Sequence, residues 1–502
     1  MRFSLLDWTI VLVYVAFAFG VGVAVRKRVR SVADFLVAGR RVRLHLGIAS
    51  LVATELGLVT MMYMAEEGFR NGFAALIIGV IWATCYMVIG RTGFIIDRIR
   101  RLRLLTITEF FEARYSRGVR FLGALLLVTA GTLGMGVFAK AGAVFIVHFT
   151  NIPPQRLDLT MTVLVLAVLG YTVLGGMISV VLTDYVQFIV LAVSMTFATG
   201  FVLHNVGYAD LFDKAGAMRA ALPDAGFNPI THPQYGWWFI AFMLVFNMAG
   251  CILWQPVAQR VLAAERPELN KKIFTTVSLM FLGRAFFPML WGIGAAVYLG
   301  SGYEDPLAAM PDFLARIVPI GFSGLLAAGM IAALMSTYDS YLLAWGGVIV
   351  QDLIAPFQRN GLSERTRVLL TRLFVIIIGA LMLVFGIWHE LKDSAFRFLV
   401  DLCILYYAGG MAVIIAGLYW RRATTCGAYL GFLCGGILPV AYIIGDLMIQ
   451  GQGEEAVNFV RQWIPDDNLR RFLSFVLGAI GVVVGSLLPI GKPKILEYPE
   501  DE

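Results

Sequence analysis

The chain has 502 residues, of which 59% are hydrophobic and 15% charged. A soluble globular chain is about a quarter charged, so a water-soluble multi-domain protein is excluded. The formal charge of +7 leaves nucleic acid open until its distribution is read.

Thirteen apolar runs follow one another, near residues 7–25, 45–65, 73–97, 121–148, 158–174, 177–204, 236–256, 274–300, 318–353, 370–388, 395–419, 426–448 and 471–490. Most approach about 20 residues, the length of a helix that spans a bilayer. Helices are expected because each satisfies its own backbone in lipid, and the 52 glycines suit close helix packing there. The first run could be a secretory signal. It lacks a small-residue cleavage site and precedes a basic cluster, so a retained span is expected.

Basic residues gather on alternate connections, as in Arg26, Lys27, Arg28, Arg30, Arg40, Arg41 and Arg43, and again in Arg98, Arg100, Arg101, Arg103, Arg114, Arg117 and Arg120. Glu304, Asp305, Glu454, Glu455, Asp466 and Asp467 lie on the others. Under the positive-inside rule the N-terminus is outside and the tail 491–502 cytoplasmic, consistent with a bacterial inner membrane. The charge thus reads as topology, and nucleic acid is not an expected partner, since no basic stripe carries interleaved aromatics. The five cysteines have no metal spacing and are expected as free thiols; the five histidines form no ligand pair.

Ionisable residues inside spans are costly and mark function by default. Glu55, Arg91, Lys140, Asp184, Arg284 and Asp339 stand out, with Asp401 a weaker seventh. Arg91 is close enough to an end to snorkel. In the ninth run Ala333, Ser336, Thr337 and Ser340 share one helical face with Asp339 at its edge. Hydroxyls beside a carboxylate suit a hard cation, although hydroxyls can instead bond the preceding turn.

The second run holds Glu55 and Gly57 at its middle, and the seventh ends in Trp254, Gln255 and Pro256. Both read as broken helices, with Pro256 expected to end or kink the second of them. They open two groups of five spans, 45–204 and 236–419. An odd number of spans makes the groups opposite in orientation, as in inverted-repeat transporters. Residues 1–30 form an extra N-terminal helix and 426–490 two extra C-terminal helices.

At these residues the chain resembles the sodium/solute symporter family. The likeness rests on Gly175 and Gly176 followed by Thr183, Asp184 and Gln187, on Asp34 to Arg40, on Gln259 to Ala264, and on Met335 to Ser340. The resemblance implies an all-α polytopic membrane protein of about thirteen transmembrane helices, with a LeuT-like inverted five-helix repeat. It implies a main sodium site from the carbonyls of Ala53, Leu56 and Ala333 and the hydroxyls of Ser336 and Thr337. It implies a possible second cation site at Asp184, Asp339 and Ser340, where Asp339 departs from members with a hydroxyl. Solute is expected at Glu55, Gly57, Thr60, Lys140, Trp254, Gln255 and Arg284.

The expected function is symport of a small organic solute, anionic or zwitterionic, with sodium as coupling ion. Glu55 would face an ammonium and Lys140 a carboxylate, or the two would simply pair with each other. Proton coupling in the same fold and a transporter-derived membrane sensor are the alternatives. No motif supports an enzyme.

Overall fold

A computed structural model of the chain describes residues 3–25, 31–359, 361–388, 394–449, 458–490 and 493–498. The basic residues Arg26 to Arg30, the acidic pair Glu454 and Glu455, and parts of the tail 491–502 lie outside these. Among the described residues the chain is helical, with one isolated bridge between Val42 and Ala264. Every one of the thirteen apolar runs falls on helix. Among the described residues ten helices are long and apolar enough to cross a membrane, and Leu5–Val21 and Leu44–Glu55 are shorter apolar helices.

Helix α1 (Leu5–Val25) packs on the core through its buried Asp7. That carboxylate accepts from the backbone N–H groups of Gly321 and Gly324, each at 2.8 Å, at the N-terminus of a later helix, where orphan donors need partners.

The second run is broken as expected. Helix α2 (Leu44–Glu55) stops at Leu56 (φ −91°, ψ 55°), Gly57 is extended, and α3 (Leu58–Asn71) resumes the span. Helices α4 (Ile77–Thr92) and α5 (Arg117–Thr150) follow. Helix α6 (Leu157–Val206) bends at Gly176, whose φ of 56° and ψ of −163° are outside the helical range. A Cβ there would lie 2.5 Å from the Phe35 ring, so the glycine permits both the backbone turn and the close approach.

The second group mirrors this order. Helix α7 (Gly236–Leu253) ends at extended Trp254, and α8 (Gln255–Ala263) follows at once. Pro256 does not end the first half; it stands in the opening turn of the second, where its missing N–H costs nothing. Next come α9 (Pro267–Leu299), α10 (Phe322–Val348), α11 (Glu364–Trp388) and α12 (Ala395–Tyr419). Helices α13 (Thr425–Ile449) and α14 (Asp467–Leu487) complete the chain and pack on each other.

Two features position the site. Helices α3 and α9 meet backbone to backbone, because a Cβ on Gly68 or Gly292 would fall on the backbone of Met289 or Ala65. Helix α10 widens into a π-turn over Ile349–Ile354. There Asp352 accepts from Arg120 Nε at 2.6 Å, while Arg120 also reaches Glu112 at 2.7 Å and Glu109 at 3.3 Å. One guanidinium therefore ties the end of α10 to α5 and to the short helix Glu109–Arg114.

Candidate functional site

The break after α2 leaves carbonyls without their helical N–H partners, and α10 supplies the hydroxyls that meet them. Ser336 Oγ donates to Ala53 O at 2.9 Å and lies 3.1 Å from Ala333 O, while Thr337 Oγ1 donates to Thr54 O at 3.1 Å. Four of the five residues expected at the main sodium site thus meet at this crossing. Thr54, which sequence reasoning did not select, supplies the carbonyl that Thr337 uses. The donors are all neutral oxygens, the ligand class a hard cation prefers. Gly57 permits the crossing: a Cβ there would fall on the Thr337 side chain.

Beside this crossing lies a buried charged cluster. Ser50 Oγ donates to Asp184 Oδ2 at 2.6 Å. Arg260 Nη2 donates to Ser340 Oγ at 2.6 Å and to Asp184 Oδ2 at 3.2 Å, and its Nε donates to Ser50 Oγ at 3.2 Å. Ser340 in turn donates to Asp339 Oδ1 at 3.2 Å, and Thr54 Oγ1 is 3.2 Å from Ser340 Oγ. The three residues expected at a second cation site are therefore joined, but through a guanidinium fixed to the chain. Asp184 Oδ1 is buried without a hydrogen-bond partner.

Arg260 carried weight in the sequence only as part of a motif. It lies past the end of an apolar run and counted there as a connecting basic residue. In the structure α8 is buried along its whole length despite Gln255, Gln259 and Arg260. A polar nine-residue helix gives no span signal, so hydropathy alone could not find it.

A cavity of about 130 Å³ lies between the two breaks, smaller than two others of about 450 and 470 Å³ but lined by residues of both breaks. Glu55, Thr60, Trp254 and Arg284 are in its wall, together with Asn247 and a set of aromatic rings. Arg284 Nη1 is 3.5 Å from Glu55 Oε2, and the Tyr341 hydroxyl is 3.5 Å from Glu55 Oε1. The guanidinium is stacked over Trp82 at 4.2 Å and Phe281 at 4.7 Å. Its Nε is buried with no hydrogen-bond partner.

Three expected solute residues stand elsewhere. Gly57 packs on Thr337. Gln255 turns to the short connecting segments, its Oε1 accepting from Ile107 N at 2.9 Å. Lys140 is half-buried on α5 and absent from the cavity wall. In the cavity wall the cation beside Glu55 is Arg284, from α9. Lys140 and Arg284 lie on different helices, and sequence distance could not rank them. Asp401 pairs at 2.7 Å with both Nε and Nη2 of Arg471 on α14, away from the cavity. All five cysteines are free.

Comparison with known proteins agrees with this architecture. Rabbit (Oryctolagus cuniculus) sodium/glucose cotransporter 1 is 23% identical over 486 residues, covering 87% of this chain and 72% of the relative. Among solved structures, a Na+-coupled sialic acid symporter in a substrate-bound outward-open state superposes with a TM-score of 0.81 at 18% identity. That match covers 98% of this chain and 100% of the other. A nucleobase-cation-symport-1 family transporter in a closed conformation matches at TM-score 0.56 and 12% identity, over 90% and 93% of the two chains. These neighbours share the LeuT-like transporter fold. The sequence pattern of the Sodium:solute symporter family matches residues 35–435, most of the chain, and the protein belongs to that family of sodium-coupled membrane transporters.

Proposed function

We propose that this chain moves a small organic solute bearing a carboxylate, anionic or zwitterionic, together with sodium by alternating access. The observation that carries the solute reading is Arg284. It is 7% exposed, stands in the cavity wall and holds a buried Nε with no partner. A guanidinium presents a fork of donors that matches a carboxylate.

The oxygens of Ala53, Ala333, Ser336 and Thr337, with the carbonyl of Leu56, support one sodium at the crossing of α2 and α10. Binding there would favour the state in which the broken helix and α10 are held together, and so shape the neighbouring cavity. Inward movement of one charge contributes about 2.3 kcal/mol per 100 mV of membrane potential. At Asp184, Asp339 and Ser340 the Arg260 guanidinium already supplies one positive charge, which supports a single sodium per cycle. The orientation proposed is N-terminus outside and C-terminus cytoplasmic, in a bacterial inner membrane.

The coupling is tested by purified protein reconstituted in liposomes, with solute accumulation followed under an inward sodium gradient. Ser336→Ala combined with Thr337→Ala is expected to abolish sodium-stimulated uptake. Full stimulation in that double variant would overturn the sodium site.

A further inference from the structure

We infer that the solute is a zwitterion with a branched or aromatic apolar body, its carboxylate on Arg284 and its ammonium on Glu55. This rests on the cavity being the solute site, as proposed above.

The geometry of the charged pair is the first ground. Charge-assisted hydrogen bonds between a guanidinium and a carboxylate are normally about 2.7–2.9 Å long. Arg284 and Glu55 approach only to 3.5 Å, and the other Glu55 oxygen has the Tyr341 hydroxyl no nearer than 3.5 Å. The guanidinium lies over the rings of Trp82 and Phe281, and its buried Nε has no hydrogen-bond partner. Buried polar groups left this loosely paired are costly in an apolar wall. A solute with both signs of charge would satisfy the donor and the acceptor together. A carboxylate alone would serve Arg284 and repel Glu55.

The lining of the cavity is the second ground, and it sets the body of the solute. Trp82, Tyr86, Phe138, Trp254, Phe396 and Tyr407 dominate it. Such an aromatic wall matches a branched aliphatic or aromatic group.

The test uses matched probes on the full-length purified protein. L-leucine and L-phenylalanine are compared with their deaminated acids, 4-methylpentanoate and 3-phenylpropionate. Their decarboxylated amines, 3-methylbutylamine and 2-phenylethylamine, and D-glucose complete the set. Thermal midpoints are titrated in sodium and in potassium buffer. At least one of the two amino acids is expected to raise the midpoint in sodium, with apparent affinity at least about tenfold above its acid and its amine. In Glu55→Gln the advantage over the acid should shrink to less than about threefold. An acid, an amine or glucose that stabilises as well as the amino acid overturns the inference, as does no response to either amino acid. The parent protein alone decides this, whether or not Glu55→Gln folds. Sodium against potassium without solute reads the coupling separately. A sodium shift that persists while the amino acids fail overturns only the solute class. Amino acids that stabilise equally in potassium overturn the coupling and leave the class standing.

Discussion

Replacing Arg260 by methionine keeps much of the side-chain length and removes the charge. The guanidinium makes four contacts, at 2.6 Å to Ser340, 3.2 Å each to Ser50 and Asp184, and 3.3 Å to the Pro256 carbonyl. Its side chain is 2% exposed and that of Asp184 is 0% exposed. Without it, Asp184 keeps only the Ser50 hydroxyl as a partner among the bonds described, and its charge stays buried. Breaking one side of such a pair costs about 3–5 kcal/mol, because the remaining ion is uncompensated. Asp184→Asn removes that ion. Arg260→Met with Asp184→Asn should therefore be more stable than Arg260→Met alone, with a coupling of about 2–3 kcal/mol. Unfolding titrated in mixed detergent micelles, in potassium buffer, measures all four corners of the cycle. Additive single effects would refute the assignment of Arg260 as the counter-charge of Asp184.

The cluster around Arg120 should respond to pH. Burial, and next the neighbouring Asp352 carboxylate, push the Glu109 carboxyl up from 4.5 to about 7. The folded protein then holds this proton more tightly than the unfolded chain does. The associated stability is full below about pH 4.5 and is lost as pH rises through about 7. Glu109→Gln should flatten the unfolding midpoint across that window; an unchanged slope would show that Glu109 is not its source. Gly57→Ala would set a methyl on Thr337, at a cost of about 1–3 kcal/mol from overpacking. It should also abolish the sodium-dependent rise in thermal midpoint, because Thr337 must give way. Adding Thr337→Ala should recover stability without recovering the sodium response. A Gly57→Ala protein with parental stability and sodium response would refute the close crossing.

The helices were legible because a bilayer-length apolar run leaves little choice of structure. The breaks were legible too, since Gly57 and the Trp254 to Pro256 stretch interrupt otherwise continuous patterns. The residues around Ser336, Asp184 and Ser340 could be picked out because hydroxyls and acids are rare in such runs. What escaped was everything decided by packing between helices. The partner of Glu55 was one such case, because periodicity within a helix says nothing about which neighbour reaches across. Arg260 was another, since a buried polar helix resembles a connecting segment. The aromatic wall of the cavity was a third: Trp82, Tyr86 and Tyr407 read as ordinary lipid-embedded core until a cavity opens beside them.

The glycine-to-backbone contact of α3 with α9 limits how the cavity can open. With Ala65 and Met289 backbone atoms against Gly292 and Gly68, no side chain lies between the backbones at these two points to change rotamer and let the helices slide. Thr60 and Tyr63 on one helix and Arg284 on the other therefore behave as a single welded plate. A solute clamped to Arg284 travels with that plate. The opposite bank of the cavity, where α12 contributes Phe396, Leu399, Val400, Cys403 and Tyr407, is welded in the same way to α13 and α14 at Gly409, Gly435 and Gly478, so the doorway forms between the two rigid groups, at side-chain contacts such as Tyr63 with Phe396.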